Sequence, residues 1–160
     1  IKNAGENIHC FKTHRKNHVL GTWVKYGGLY PDWAYRLFRK EYGKWRDREV
    51  HSRLTVSGEI GMLDTALIHH GMPNISKQLI NLDRYTRYEA DELNKSNIEF
   101  SFVKWILGPI YIFIKRYFLL RGCRDGWRGL FLAVYASFYI FMSHAKLLEI
   151  QLLKLKRSPE

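Results

Sequence analysis

Acidic residues are scarce in this sequence: fifteen Asp and Glu stand against twenty-six Lys and Arg in 160 residues, a formal net charge of +11. Cysteine is nearly missing. Cys10 and Cys123 lie far apart with no C-x-x-C spacing, which argues against a disulfide framework and for reduced thiols in a cytosolic compartment. There is no G-x-x-x-x-G-K-[ST], no G-x-G-x-x-G, no G-x-S-x-G and no H-E-x-x-H, so the phosphate-loop, dinucleotide, nucleophile-elbow and zinc-protease chemistries have no local signature here. No internal repeat or low-complexity segment occurs, and no charged n-region with an apolar run and small-residue cleavage site opens the chain. Long uncharged runs are lacking too. A spanning helix needs about 20 largely uncharged residues, and cations interrupt both apolar stretches, so neither reads as a clean transmembrane helix.

What is present is enough apolar material, 46% of residues, for a packed core, with a high aromatic share of 15%. The length suits one domain or a piece of one. The chain opens on Ile1 in mid-pattern, and the expectation is a fragment whose upstream half lies elsewhere. Its charge is uneven: residues 101–160 carry ten Lys or Arg against only Asp125, Glu149 and Glu160, while residues 1–100 hold sixteen cations and twelve acids. A basic excess on the most apolar part of the chain favours an anionic membrane surface as partner, not nucleic acid.

Three zones follow. Residues 1–72 read as short strands. "HVLGTWVKYGG" mixes β-branched and aromatic residues before a Gly-Gly turn, and "WAYRLFRK", "REVHSRLTV" and "TALIHHG" are further candidates, with "EYGKWRD" a turn between them. Residues 73–98 read as a polar helix started by Pro73-Asn74 or Ser76, with Ile75, Leu79, Leu82 and Tyr85–Tyr88 as its apolar stripe. Residues 99–160 decide the class. "FSFVKWILGPIYIFIKRYFLL" places Lys104 and Lys115 on one helical face. "GWRGLFLAVYASFYIFM" gives about 16 apolar residues broken by Arg128 and Ser137, and "HAKLLEIQLLKLKR" closes as a separate amphipathic helix. Aromatic and cationic flanks suit helices lying in a membrane interface. The linking "RGCRDGWRG" is a tight reversal in which Asp125 can cap the next helix. Lys115, Arg116, Arg121, Arg124, Trp127 and Arg128 are the expected membrane contacts.

Candidate chemistry is sparse. Among seven histidines, His9, His14 and His18 sit in a basic stretch and read as surface residues. His69 and His70 are adjacent, so a strand sends them to opposite faces. Asp32 stands at a Pro-Asp turn four residues before Arg36. A carboxylate facing a cleft can act as general base, and an Arg can clamp a phosphate. Read alone, the two also fit a surface ion pair.

"GGLYPDWAYRLFRK", "EVHSRLTVSGEIGMLDTALIHHG", "DRYTRYEA" and "GPIYIFIKRYFLLRGCRDGWRGLFLAVYASFYIFMSHAK" occur in an order that resembles family 2 glycosyltransferases, in the branch of the lipopolysaccharide-core β-glucosyltransferases. The resemblance covers nearly the whole chain and corresponds to that family's C-terminal half. It implies an incomplete α/β fold of the GT-A nucleotide-sugar-transferase type, followed by amphipathic membrane-associated helices. It also implies inverting transfer of a sugar from a nucleotide-sugar donor to a glycan or lipid-linked acceptor, at the cytoplasmic face of a membrane. By the same resemblance Asp32 and His51 take catalytic positions, and Arg36, Trp33, Arg39 and His69 take substrate-binding ones. Mg²⁺ or Mn²⁺ is expected in the full-length enzyme, held mostly by residues of the absent half. The family pattern has Glu after the first His, where this chain has Ser52, and Phe where it has Cys123. The isolated chain is expected to be inactive and, with strand edges open, a candidate for self-association. The competing expectation is a basic peripheral-membrane or scaffold module without catalysis.

Overall fold

The computed structural model describes residues 7–46 and 53–157, which form a mixed α/β arrangement. Its organising element is β1, a strand of twelve residues, Ile8–Val19. The basic, histidine-bearing stretch that reads as surface is therefore the central strand. Both of its edges are occupied, and that pairing half-buries His9, His14 and His18. One edge carries antiparallel partners: β2 (Thr22–Trp23), paired through Val19 and Thr22, and β3 (Asp32–Phe38), paired from Cys10–Phe38 to Arg15–Asp32. The turn between β1 and β2 places Leu20 at φ 47° and Gly21 at φ 81°, the positive pair that matches a two-residue hairpin to strand twist.

A 3₁₀ turn (Lys40–Tyr42) leads to β4 (Gly43–Arg46), which pairs antiparallel with β5 (Arg53–Val56) in a separate two-stranded sheet. The segment expected to be only a turn thus contributes a strand. The other edge of β1 takes β6 (Glu59–Met62) along its first half and β7 (Leu67–Met72) along its second, both parallel. A thin core of Val19, Val24 and Leu132, joined by Leu20, Leu29, Met72 and Phe131, fastens this end of the sheet to the helices.

Helix α1 (Ile75–Lys95) starts where Asn74 Oδ1 accepts the Lys77 N–H at 2.8 Å, a standard N-cap. Its buried stripe is Gln78, Leu82, Thr86 and Ala90; of the expected apolar positions Leu82 is buried and Tyr85 and Tyr88 are half-buried, but Ile75 and Leu79 are exposed. The reason is its neighbour. Lys146 lays its ammonium on Asp83 O, Asp83 Oδ1 and Thr86 Oγ1, and Tyr135 donates to Gln78 O. A polar seam therefore joins the helices.

Helix α2 (Phe102–Ile114) continues through a π-helical turn (Lys115–Leu119) into the reversal. Then α3 runs unbroken from Gly126 to Arg157, 32 residues, about 48 Å at 1.5 Å per residue. The two helices expected after residue 126 are one. The stretch Gly122–Lys156 is long and apolar enough to cross a bilayer by length and composition, which the run broken at Arg128 and Ser137 did not reveal. Trp105 stacks on Phe141 and donates its indole N–H to Phe141 O at 3.2 Å, and Ser137 donates to Pro109 O at 2.7 Å. These contacts set α2 antiparallel to α3.

Candidate active site

Register on β1 sorts the sheet into two faces. Period-2 alternation puts Thr13, Arg15 and Asn17 on one side. Across the antiparallel ladder they meet Asp32 and Ala34, and across the parallel ladder Leu67 and His69. Lys12 pairs with Tyr35 but Phe11 with Leu37, so Arg36 is the extra residue of a bulge, a device that re-aims a side chain. Arg36 accordingly lines the same cleft, of about 580 Å³, as Thr13, Arg15, Leu67 and His69.

The first partner of Asp32 is not Arg36. Arg15 Nη2 reaches Asp32 Oδ1 at 2.8 Å and Asn17 Nδ2 reaches Oδ2 at 2.9 Å. Burial opposes ionisation of this carboxyl, but the bonds from Arg15 and Asn17 and the charge of Arg15 outweigh it and hold the pKa below the usual range. A carboxylate so committed is a poor proton acceptor. Its place is to orient.

What it orients is His69. Asn17 Nδ2 also donates to Leu29 O at 3.2 Å, so the Asn17 amide nitrogen is a donor and its Oδ1 an acceptor. His69 Nδ1 lies 2.8 Å from that Oδ1, which assigns the ring proton to Nδ1 and leaves the Nε2 lone pair unshared. Burial first, then the charges of Arg15 and Arg36 against the opposing pull of Asp32, lower the His69 pKa and favour a neutral ring at neutral pH. Beside it, the buried Nε–H of Arg15 has no hydrogen-bond acceptor among the described residues.

The opposite face is different in kind. Trp33 stands there with Lys12 over its ring at 5.0 Å and His14 at its edge, and Lys16 and Lys25 flank Trp23. His70 meets His18 on this side, so the two adjacent histidines do diverge. Trp33 is thus not brought together with Asp32. Arg39 is exposed beyond β3, its backbone N–H bonded to His9 O. His51 and Ser52 lie outside the described residues. Sequence reasoning missed Arg15 and Asn17, which declare themselves only through the register of β1.

The expected lipid-contact cluster is partly committed to protein. Arg128 donates from Nε to Val19 O at 3.2 Å and stacks on Trp127, and Arg116 is half-buried with Nη1 3.4 Å from Gly27 O. Asp125, expected to cap α3, instead accepts the backbone N–H groups of Lys25 and Tyr26, the latter at 2.7 Å. Lys115, Arg121, Arg124 and Trp127 are exposed, with Arg124 over the Tyr26 ring.

No three His, Cys, Asp or Glu side chains converge on a metal position among the described residues, and Asp32 has both oxygens engaged. Among the described residues, then, no cluster is in place to hold a divalent cation by protein ligands alone.

A curated relative is the lipopolysaccharide core biosynthesis glycosyltransferase LpsC of Rhizobium meliloti, 27% identical over 153 residues. The chain is similar to a glycosyltransferase. The match takes in 94% of this chain and 57% of that protein, so the chain spans little more than half the relative's length. No family model matches the chain, and no solved structure matches it.

Proposed function

We propose that this chain is the acceptor-side and membrane-side portion of a family 2, GT-A type glycosyltransferase, which moves a sugar from a nucleotide-sugar to a glycan or lipid-linked acceptor. The observation that supports it most is the cleft that Arg15, Arg36 and His69 line together, in which Asp32, through Asn17, holds the His69 ring by Nδ1. An inverting displacement needs those parts. As the acceptor oxygen bonds to the anomeric carbon, the bond to the diphosphate breaks and its electron pair leaves with the phosphate. His69 Nε2 takes the hydroxyl proton. Arg36 and the Arg15 guanidinium, which line the same cleft, offer positive charge to the departing oxygens.

The helices support the membrane half of the reading. No residue of α2 is buried, and Phe102, Leu107, Ile110 and Phe118 are each more than half exposed, as are Trp127 and Val134 of α3. Lys115, Arg121 and Arg124 are exposed at the end of the same hairpin. Docking suits it better than spanning, because the charged helix α1 is bonded along α3 from Gln78–Tyr135 to Asn94–Lys154, and a bilayer would strip water from those groups. The protein would then sit on the cytoplasmic face, as a peripheral or monotopic enzyme.

The test is transfer from a panel of UDP- and GDP-sugars by the complete reading frame that contains this chain, with membranes and Mg²⁺ or Mn²⁺. His69→Gln is expected to lower kcat by about 10²-fold or more, with donor affinity less affected. Undiminished turnover in His69→Gln would move the base elsewhere. A folded, membrane-bound protein inert toward every donor would instead support the non-catalytic module.

A further inference from the structure

A second cavity, of about 610 Å³, lies away from the cleft, in the trough above α3 between α1 and α2. That size falls within the range of small-molecule sites. Leu29 and Met72 line it from the sheet side, Ile112 of α2 and Arg116 of the π-helical turn from another, and Ala136 from α3, where its short side chain leaves room. The lining is mainly apolar. Arg116 is the exception that points to a ligand. A guanidinium has five N–H donors, and Arg116 uses one, in a long 3.4 Å bond to Gly27 O. Among the described residues it has no ion pair. Glu89, the acid on the α1 wall, bonds Tyr139 instead. The α2–α3 register set by Pro109–Ser137 and Trp105–Phe141 places Arg116 opposite residue 130. Glu89 therefore lies roughly 13 Å farther along α3 at 1.5 Å per residue. One end of the cavity is positive and, among the described residues, lacks an anion; the lining between mixes aliphatic side chains with tyrosines, of which Tyr135 and Tyr139 have their hydroxyls bonded to α1.

We propose that this trough binds one acyl chain of an anionic phospholipid, with the lipid phosphate on Arg116. Arg takes phosphate oxygens through two parallel N–H bonds, and the apolar lining receives the chain. The exposed apolar face of the same hairpin supplies the route from the bilayer. The position matters for the cleft. Arg116 holds Gly27, and two residues on, Leu29 lines the trough with its side chain while its carbonyl accepts from Asn17 of the Asp32 network. The inference rests on the membrane reading for the source of the lipid, and on nothing in the transfer chemistry.

The test uses monoacyl phosphatidylglycerol below its micelle concentration, titrated into the chain by calorimetry. Monoacylglycerol serves as the uncharged chain and glycerophosphate as the chainless anion. Saturable one-to-one binding is expected for the anionic monoacyl lipid, about tenfold or more weaker for monoacylglycerol, and undetectable for glycerophosphate. Arg116→Gln should erase the preference for the charged lipid, and Ala136→Trp should abolish binding of both lipids. Equal binding of glycerophosphate would reduce the site to a plain anion site. Equal binding of the two lipids by the unaltered protein, or no effect of either substitution, would place the lipid elsewhere and overturn the proposal. Unfolding midpoints show whether Ala136→Trp still folds; if it does not, Arg116→Gln alone decides. Flotation on phosphatidylcholine–phosphatidylglycerol vesicles separates the readings, because Ala136→Trp should still float. Lipid binding without flotation would sink the membrane reading and leave this site standing.

Discussion

At the scale of single residues, the Arg15–Asp32–Asn17–His69 network makes protonation a matter of stability as well as chemistry. The folded pKa of Asp32 lies below the usual value, so the unfolded chain binds this proton more readily. Its contribution is complete above the unfolded pKa of about 3.9 and is lost as pH falls through the lower folded value. His69 acts with the same sign. Its folded pKa is also lowered, so below about pH 6.5 the unfolded ring takes a proton that the folded ring refuses. Unfolding midpoints measured between about pH 2 and 7 should fall toward acid, less steeply in Asp32→Asn below about pH 4 and less steeply in His69→Gln below about pH 6.5. Identical slopes in wild type and variants would refute the linkage. Nitrogen NMR of the imidazole should show the Nδ1–H tautomer, relaxing to a mixture in Asn17→Ala; an Nε2–H ring in the wild type would remove His69 as proton acceptor. Little of this was legible in advance. The acid at Asp32 stood out because it is alone, but its local neighbour Arg36 drew attention from Arg15, which is seventeen residues away and adjacent only through strand pairing.

Among the elements, the corner between α2 and α3 was read most directly, and glycine is the reason. A Cβ on Gly122 would meet Arg116 O at 2.6 Å, and one on Gly129 would run into Gly122 O. Backbone carbonyls cannot swing aside as side chains do. Gly129→Ala is therefore expected to cost about 2–3 kcal/mol, measured as a lower urea midpoint at unchanged slope. Asp125→Ala loses the acceptor for two loop N–H groups. Because that corner is partly solvated, about 1–2 kcal/mol is expected. A Gly129→Ala protein as stable as wild type would mean that the corner is not this tight. Elsewhere local pattern misled. The α1 stripe was expected to follow the large apolar residues, but α3 presents Tyr135 and Lys146 to it, so Gln78, Thr86 and Ala90 join Leu82 on the inward side while Ile75 and Leu79 face out. Strand β3 was legible from its aromatic and branched residues. Strand β1 was not, because a strand paired on both edges tolerates a histidine- and lysine-rich sequence that looks solvated.

For the whole molecule, net charge and exposed apolar area point to the same partner but respond to different conditions, and that difference can be measured. Long-range attraction from a charge of +11 is screened beyond about 8–10 Å at physiological salt, whereas burial of apolar side chains is not. Binding to vesicles containing phosphatidylglycerol should therefore weaken as salt rises to about 0.5 M. It should level off at the affinity shown for neutral phosphatidylcholine vesicles, instead of vanishing. Leu107 and Ile110, 56% and 52% exposed on α2, carry the apolar part. Each large apolar side chain returned to water forfeits about 1.5–3 kcal/mol, so Leu107→Glu with Ile110→Glu should lower partition by about 10²-fold or more on both vesicle types. Both residues already face outward, so the unfolding midpoint should hardly change. A doubly substituted protein that floats as well as wild type would mean that this face packs against protein instead of lipid. Binding that disappears entirely at high salt would mean that charge alone had held the chain to the membrane.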